Sequence, residues 1–210
     1  YWSYLTRQFT TFRLNPTTGA MKEYPVGDIN GGNLYLRSFG TVESSGNVWL
    51  LDNKKNLNKL NQQKDSFEII IPAGKDIMQS GKSDTIGFAS KAGKNRLLLT
   101  GKHGVYIYDG KTQKVVKSYV HQPNKANGIA DSITHAFEDF KGQIWAFHTG
   151  SIISLIDSVS DNIQRFTYGS GSIPNIKGIN DISRILPIAQ NKESILFQAL
   201  DTLVRKIFFI

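Results

Sequence analysis

Apolar and polar residues alternate along most of this chain in short runs, and clusters of Gly, Asn, Asp and Ser separate the runs. Alternation with period two, rich in β-branched and aromatic residues, predicts strands. The clearest stretch runs from Ser132 to Asp157. There Ile133, His135 and Phe137 alternate with polar or small neighbours, and residues 138–142 form a turn cluster with Gly late. Residues 144–147 make a β-rich run around Trp145, and a second turn at 148–151 leads into 152–156. This pattern predicts an antiparallel meander.

The same plan recurs with a period close to 48 residues. Large apolar residues of the second strand stand at Trp2, Trp49, Leu98, Trp145 and Phe197, at spacings of 47, 49, 47 and 52. A second ruler agrees: the third strand ends in Leu14-Asn15, Leu60-Asn61, Tyr108-Asp109 and Ile156-Asp157, at intervals of 46, 48 and 48. A polar turn and a fourth strand follow each pair, and longer loops return to the next first strand at 27–33, 72–84, 122–131 and 169–180. A four-stranded meander cannot bury its own faces, so such repeats stack around an axis. The expected fold is an all-β β-propeller of four-stranded antiparallel blades. It divides into a partial blade at 1–26, blades at 33–71, 85–120 and 132–168, and a partial blade at 181–210. The two end pieces do not sum to one blade, so the chain reads as part of a larger ring, seven blades being the expected size.

Composition narrows the classes. With 40% hydrophobic and 20% charged residues, the 210-residue chain has the apolar matter for a core and no disordered signature. The formal charge is +8, but Lys and Arg are scattered in ones and twos rather than gathered on one element, which argues against a nucleic-acid partner. The absence of cysteine leaves the compartment open. No run of 18 apolar residues occurs and no charged-then-apolar leader stands at Tyr1, so any membrane attachment is expected through segments outside this chain.

Meander topology sorts the loops. Turns between strands one and two and between strands three and four emerge on one face. Loops between strands two and three share the other face with the blade-joining loops; these are longer and do not repeat, so ligand binding is expected there. The candidate ligand-binding residues on that face are Arg7, Asn53, Lys54, Lys102, His103, His148, Lys125 and Asn127. Cationic and amide groups outnumber acids among them, which suits a carboxylated or sulfated ligand. Trp49 and Trp145 read as inter-blade packing groups, because Leu98 and Phe197 stand in their place elsewhere.

No catalytic residue is assigned. The four histidines, His103, His121, His135 and His148, lack close metal-ligand spacing, so no metal site and no cofactor is expected. Nucleophile-elbow, phosphate-loop and dinucleotide motifs are missing. Glu138 and Asp139 are adjacent and point to opposite faces of a strand, so Asp139 reads as a turn residue rather than half of a catalytic pair. His135 alternates inward on an inner strand and reads as a hydrogen-bonded histidine of the central channel.

The segment from Ile133 to Gly150, Ile-Thr-His-Ala-Phe-Glu-Asp-Phe-Lys-Gly-Gln-Ile-Trp-Ala-Phe-His-Thr-Gly, followed by Leu155-Ile156-Asp157, resembles the two-component-regulator propeller repeat. Gly46-Asn47-Val48-Trp49 matches its centre, and Leu99-Thr100-Gly101 with Gly104-Val105-Tyr106-Ile107-Tyr108-Asp109 matches its second half. Glu193 departs from the small turn residue of the pattern. Such repeats build the periplasmic sensor regions of hybrid two-component systems in gut Bacteroidetes, usually as paired seven-bladed propellers followed by a β-domain, a membrane helix and a kinase. The resemblance implies a periplasmic, non-enzymatic segment that recognises an oligosaccharide, acidic sugars included, and signals to a kinase elsewhere in a full-length sensor that admits a homodimer. It transfers no phosphotransfer or binding residue, since those lie outside the repeat.

Two other classes compete. A glycan-active propeller, lyase or glycosidase, is foreshadowed by Asp139-x-x-Gly142-x-x-Trp145, which is similar to the Asp-box of sialidases but has different spacing and strand position. A protein-interaction propeller of the WD-repeat kind lacks its Gly-His and Trp-Asp signatures here.

Overall fold

Each alternating run forms a strand, and each Gly/Asn/Asp cluster turns the chain back on itself. A computed structural model of the protein describes residues 2–5, 10–25, 39–42, 45–52, 54–77, 84–125, 127–150, 152–167, 184–190, 195–200 and 205–209. Among them are eighteen strands and no helix. The first sheet holds β1 (Trp2–Leu5), β2 (Thr10–Leu14) and β3 (Met21–Pro25). The second holds β4 (Phe39–Val42), β5 (Val48–Leu51), β6 (Leu57–Asn61) and β7 (Ser66–Ile71). The third holds β8 (Phe88–Ala92), β9 (Arg96–Thr100), β10 (Gly104–Asp109) and β11 (Lys114–Val120). The fourth holds β12 (Ile133–Glu138), β13 (Gln143–His148), β14 (Ile152–Asp157) and β15 (Ile163–Thr167). The fifth holds β16 (Arg184–Gln190), β17 (Ile195–Leu200) and β18 (Arg205–Phe209). Every sheet is an antiparallel meander in chain order, so the architecture is all-β with antiparallel blades, four-stranded in the second, third and fourth sheets and with three described strands in the first and fifth.

The recurring Asn or Asp at the end of the third strand has a mechanical explanation. Oδ1 of Asn15, Asn61, Asp109 and Asp157 accepts hydrogen bonds from the backbone N–H groups two and three residues on, forming an Asx turn each time. The fourth residue after it then takes a left-handed backbone: Gly19, Asp65, Gln113 and Asp161 have φ of 69°, 48°, 55° and 61°. Asp139 caps its turn likewise, accepting from the Lys141 and Gln143 N–H groups, while its second oxygen accepts the indole N–H of Trp145 at 2.9 Å.

The core lies in the seams between sheets. Trp49, Leu51 and Leu57 of the second sheet pack on Leu97, Leu99, Tyr106 and Tyr108 of the third. Leu98, Val105 and Ile107 on the other face of the third sheet pack on Ala136, Ile144, Ala146 and Ile156 of the fourth. Leu97, Leu98 and Leu99 are all fully buried, because a blade covered on both faces has no polar side. Trp49 is likewise at zero exposure. Trp145 lies on the far face of the fourth sheet, stacked on Phe137 at 6.4 Å, and is half-buried. His135 is buried, stacked 4.6 Å from Phe147 and edge-on to Phe88, with Nδ1 3.1 Å from the Thr134 hydroxyl.

Two seams carry the same polar clasp on the outermost strand. In the first, Lys22 and the Tyr24 hydroxyl both bind the Asp65 carboxylate of the next sheet. In the second, Lys117 (2.6 Å) and the Tyr119 hydroxyl (2.9 Å) bind Asp161. Burial drives the Tyr24 hydroxyl up to about 12, and the lysine hydrogen bonds hold Asp65 and Asp161 below the usual carboxylate range. The left-handed turn thus places each Asp opposite a Lys-x-Tyr strand.

Candidate functional site

At the loop end of each described four-stranded sheet, where strand two turns into strand three, one polar pair is buried. In the second sheet Asp52 accepts from the Asn58 amide at 3.2 Å, in the third Asp84 accepts the Tyr106 hydroxyl at 2.8 Å, and in the fourth His148 meets Ser154 at 2.9 Å. Asp52, Gly101 and His148 end equivalent strands. Glycine is required in the third sheet because Asp84 already fills the place: a Cβ on Gly101 would lie 2.2 Å from its carboxylate. Asp84 also accepts the backbone N–H groups of Lys102 and His103, at 2.8 and 3.0 Å, which fixes the β9–β10 turn.

Asp131 stands 47 residues after Asp84, but His148 occupies the slot its side chain would fill. Asp131 instead turns back to the preceding sheet, where its carboxylate accepts the Nδ1–H of His103 at 2.6 Å. Its backbone carbonyl accepts the Nδ1–H of His148 at 3.0 Å. Because a carbonyl can only accept, the Nε2 of His148 is the acceptor toward the Ser154 hydroxyl. Burial holds this imidazole neutral and lowers its pKa from 6.5 to about 4. The seam is laced by further bonds: His121 N–H to the His103 carbonyl, Ile133 N–H to the Lys102 carbonyl, and the His121 ring to the Ile129 carbonyl. Ser132, between Asp131 and Ile133, takes a left-handed φ of 57° to make this turn.

The result is a half-exposed His–Asp pair, His103 at 44% and Asp131 at 42%, on a rigid seam. Its hydrogen bond to His103 keeps the Asp131 carboxyl below the usual range. Nε2 of His103 has no hydrogen-bond partner among the described residues and is open to accept from a ligand hydroxyl. Lys102, beside it, and Lys125, on the joining loop, are exposed and carry no ion pair among the described residues.

Of the residues expected from sequence, Lys102 and His103 come together here, with Lys125 and the exposed Asn127 on the adjoining 121–132 loop. His148 is at the same seam but buried, with both ring nitrogens committed, so it supports the pair rather than facing outward. Lys54 lies on the exposed β5–β6 turn of another sheet. Arg7 and Asn53 lie outside the described residues. His121 was not among the expected residues; Asp131 stands in a joining loop on the face where binding is expected, and the signal for its pairing is its register with Asp84. Among the described residues no group of three or more His, Cys, Asp or Glu is placed to hold a metal, and no helix is long and apolar enough to cross a membrane.

No family model and no curated protein matches the chain. Solved structures do. The chain is similar to the extracellular domain of BT4673 from B. thetaiotaomicron, assigned to a hybrid two-component system, at 12% identity and a TM-score of 0.64 over 100% of this chain and 29% of that one. It is similar to the extracellular domain of BT3049, a protein of the same organism with the same assignment, at 13% identity and a TM-score of 0.53 over 85% of this chain and 25% of that one. YCF48 from Cyanidioschyzon merolae gives 12% identity and a TM-score of 0.60 over 91% of this chain and 58% of that one. The chain therefore has the β-propeller fold, and it spans a little over a quarter of the length of the BT4673 domain.

Proposed function

We propose that this chain is a periplasmic, ligand-sensing propeller segment of a hybrid two-component sensor. It recognises an oligosaccharide at the seam of the third and fourth sheets and passes the signal to a kinase outside the chain. Likeness to two sensor extracellular domains supports the sensor role. The observation that carries the site is the open Nε2 of His103, held by Asp131 where the non-repeating loops gather. Lys102 beside it and Lys125 on the joining loop, both exposed and without an ion pair among the described residues, favour carboxylated or sulfated sugars over neutral ones. Isothermal titration of the full ectodomain against acidic and neutral oligosaccharides tests this: saturable binding of at least one is expected, and no heat from any member of the panel counts against it.

The same pair supports a second reading. An imidazole oriented by a carboxylate with its other nitrogen open is also the arrangement of a general base, so a glycan-active propeller is the competing class. Turnover of the bound oligosaccharide, read as new reducing ends, would promote it over a sensor without catalysis.

A further inference from the structure

The seam between the second and third sheets lacks the polar clasp found on either side of it. By strand register, Lys22 and Lys117 are matched there by Glu68, Tyr24 and Tyr119 by Ile71, and Asp65 and Asp161 by Gln113. Glu68 binds Lys64 and Asn61 within its own sheet, so among the described residues no such clasp ties the outer strands across the gap. A cleft of about 640 Å³ opens in that place, floored by Ile70, Ile71, Ile77 and Val115. Both of its walls are bulged: Ile70 of β7 and Val116 of β11 are each left without a partner in the ladder. Bulges re-aim side chains, and Ile69 and Val116 stand 58% and 51% exposed beside the opening.

We propose that this outer cleft binds an acidic, extended segment of a partner protein with alternating apolar side chains. β11 is the outermost strand of the third sheet and pairs only with β10, so its free edge offers backbone groups to an added strand. The apolar floor takes every second side chain of such a strand. Lys75 and Lys114 at the rim are exposed and carry no ion pair among the described residues, whereas the neighbouring Asp76 is already engaged. Lys117 is held by Asp161. Charge selects the occupant: a second copy would set Lys114 and Lys117 against their own like, while carboxylates complement Lys75 and Lys114. This surface lies on the outer rim, apart from the His103–Asp131 pair.

The test is selection of a phage-displayed random dodecapeptide library on the full ectodomain, with enriched peptides resynthesised and titrated by fluorescence anisotropy. Enriched sequences are expected to alternate acidic and apolar residues. Their affinity should fall at least tenfold in Lys75→Glu/Lys114→Glu, two exposed substitutions that leave the fold intact. The triple variant Glu68→Lys/Ile71→Tyr/Gln113→Asp installs the missing clasp and should likewise abolish binding while raising the thermal midpoint. Enrichment of neutral or basic peptides, binding unaffected by Lys75→Glu/Lys114→Glu, failure to enrich any peptide, or self-association through this edge by sedimentation each overturns the proposal. Oligosaccharide that binds at His103 should not compete with the peptide, so the two sites succeed or fail separately.

Discussion

Replacing His148 by Gln isolates one buried base of the seam. In the folded protein its Nδ1–H is donated to the Asp131 carbonyl and its Nε2 accepts from Ser154, and burial lowers its pKa from 6.5 to about 4. The unfolded chain therefore takes up a proton at this residue near pH 6.5 that the folded chain refuses until about pH 4. Stability from this source is complete above pH 6.5 and is lost as pH falls, by about 3 kcal/mol in all and roughly 2.5 kcal/mol by pH 4.5. Arg165 and His121 repel the imidazolium, Asp131 attracts it, and burial outweighs all three. Asp131 and Asp161 also lose stability on acidification, but only as pH approaches the unfolded carboxylate range, about 4. The raised pKa of Glu138 acts in the opposite direction. Both effects cancel in a comparison of two proteins. Glutamine can give an N–H to the Asp131 carbonyl and accept from Ser154 without titrating. Urea unfolding of wild type and His148→Gln between pH 7.5 and 4.5 is the assay. The wild type should lose roughly 2.5 kcal/mol more than the variant across that range. Parallel pH profiles would refute the assignment of His148 as a buried neutral base.

Trp49→Ala should cost about 3–5 kcal/mol in the same assay, and Trp145→Ala clearly less, since Trp49 is fully buried and Trp145 only half-buried. Gly101→Ala should destabilise by about 1–3 kcal/mol because its Cβ meets Asp84. Placed in an Asp84→Ala background, the same change should cost much less, and simple additivity in the double-mutant cycle would argue against the contact. His103→Ala should weaken oligosaccharide binding at least tenfold with little change in the thermal midpoint, because the ring is half-exposed; equal affinity would remove it from the site.

Much of the fold was legible because the blade is a local object. The Leu-Asn, Tyr-Asp and Ile-Asp pairs that end the third strands are Asx turns, which depend only on residues within four positions. The tryptophans show the limit. Trp49 and Trp145 share a place in the repeat, yet their burial depends on what the next sheet presents, and repeat position does not encode that. The site was half legible. Loop topology placed Lys102, His103 and Lys125 on one face, but the partner of His103 is 28 residues away in the next blade. That pairing follows only once His148 is seen to fill the slot that Asp84 occupies one repeat earlier. The clasps, Lys22 with Asp65 and Lys117 with Asp161, were equally hidden, because they join strands 43 and 44 residues apart whose neighbouring seam lacks the pair.

Hydrogen–deuterium exchange of the full ectodomain with and without a bound oligosaccharide tests most directly whether the seam of the third and fourth sheets is the sensing site. Protection is predicted at residues 101–103 and 121–132, and it should be lost in His103→Ala. Protection confined to other loops, with these segments exchanging as in the free protein, would contradict it.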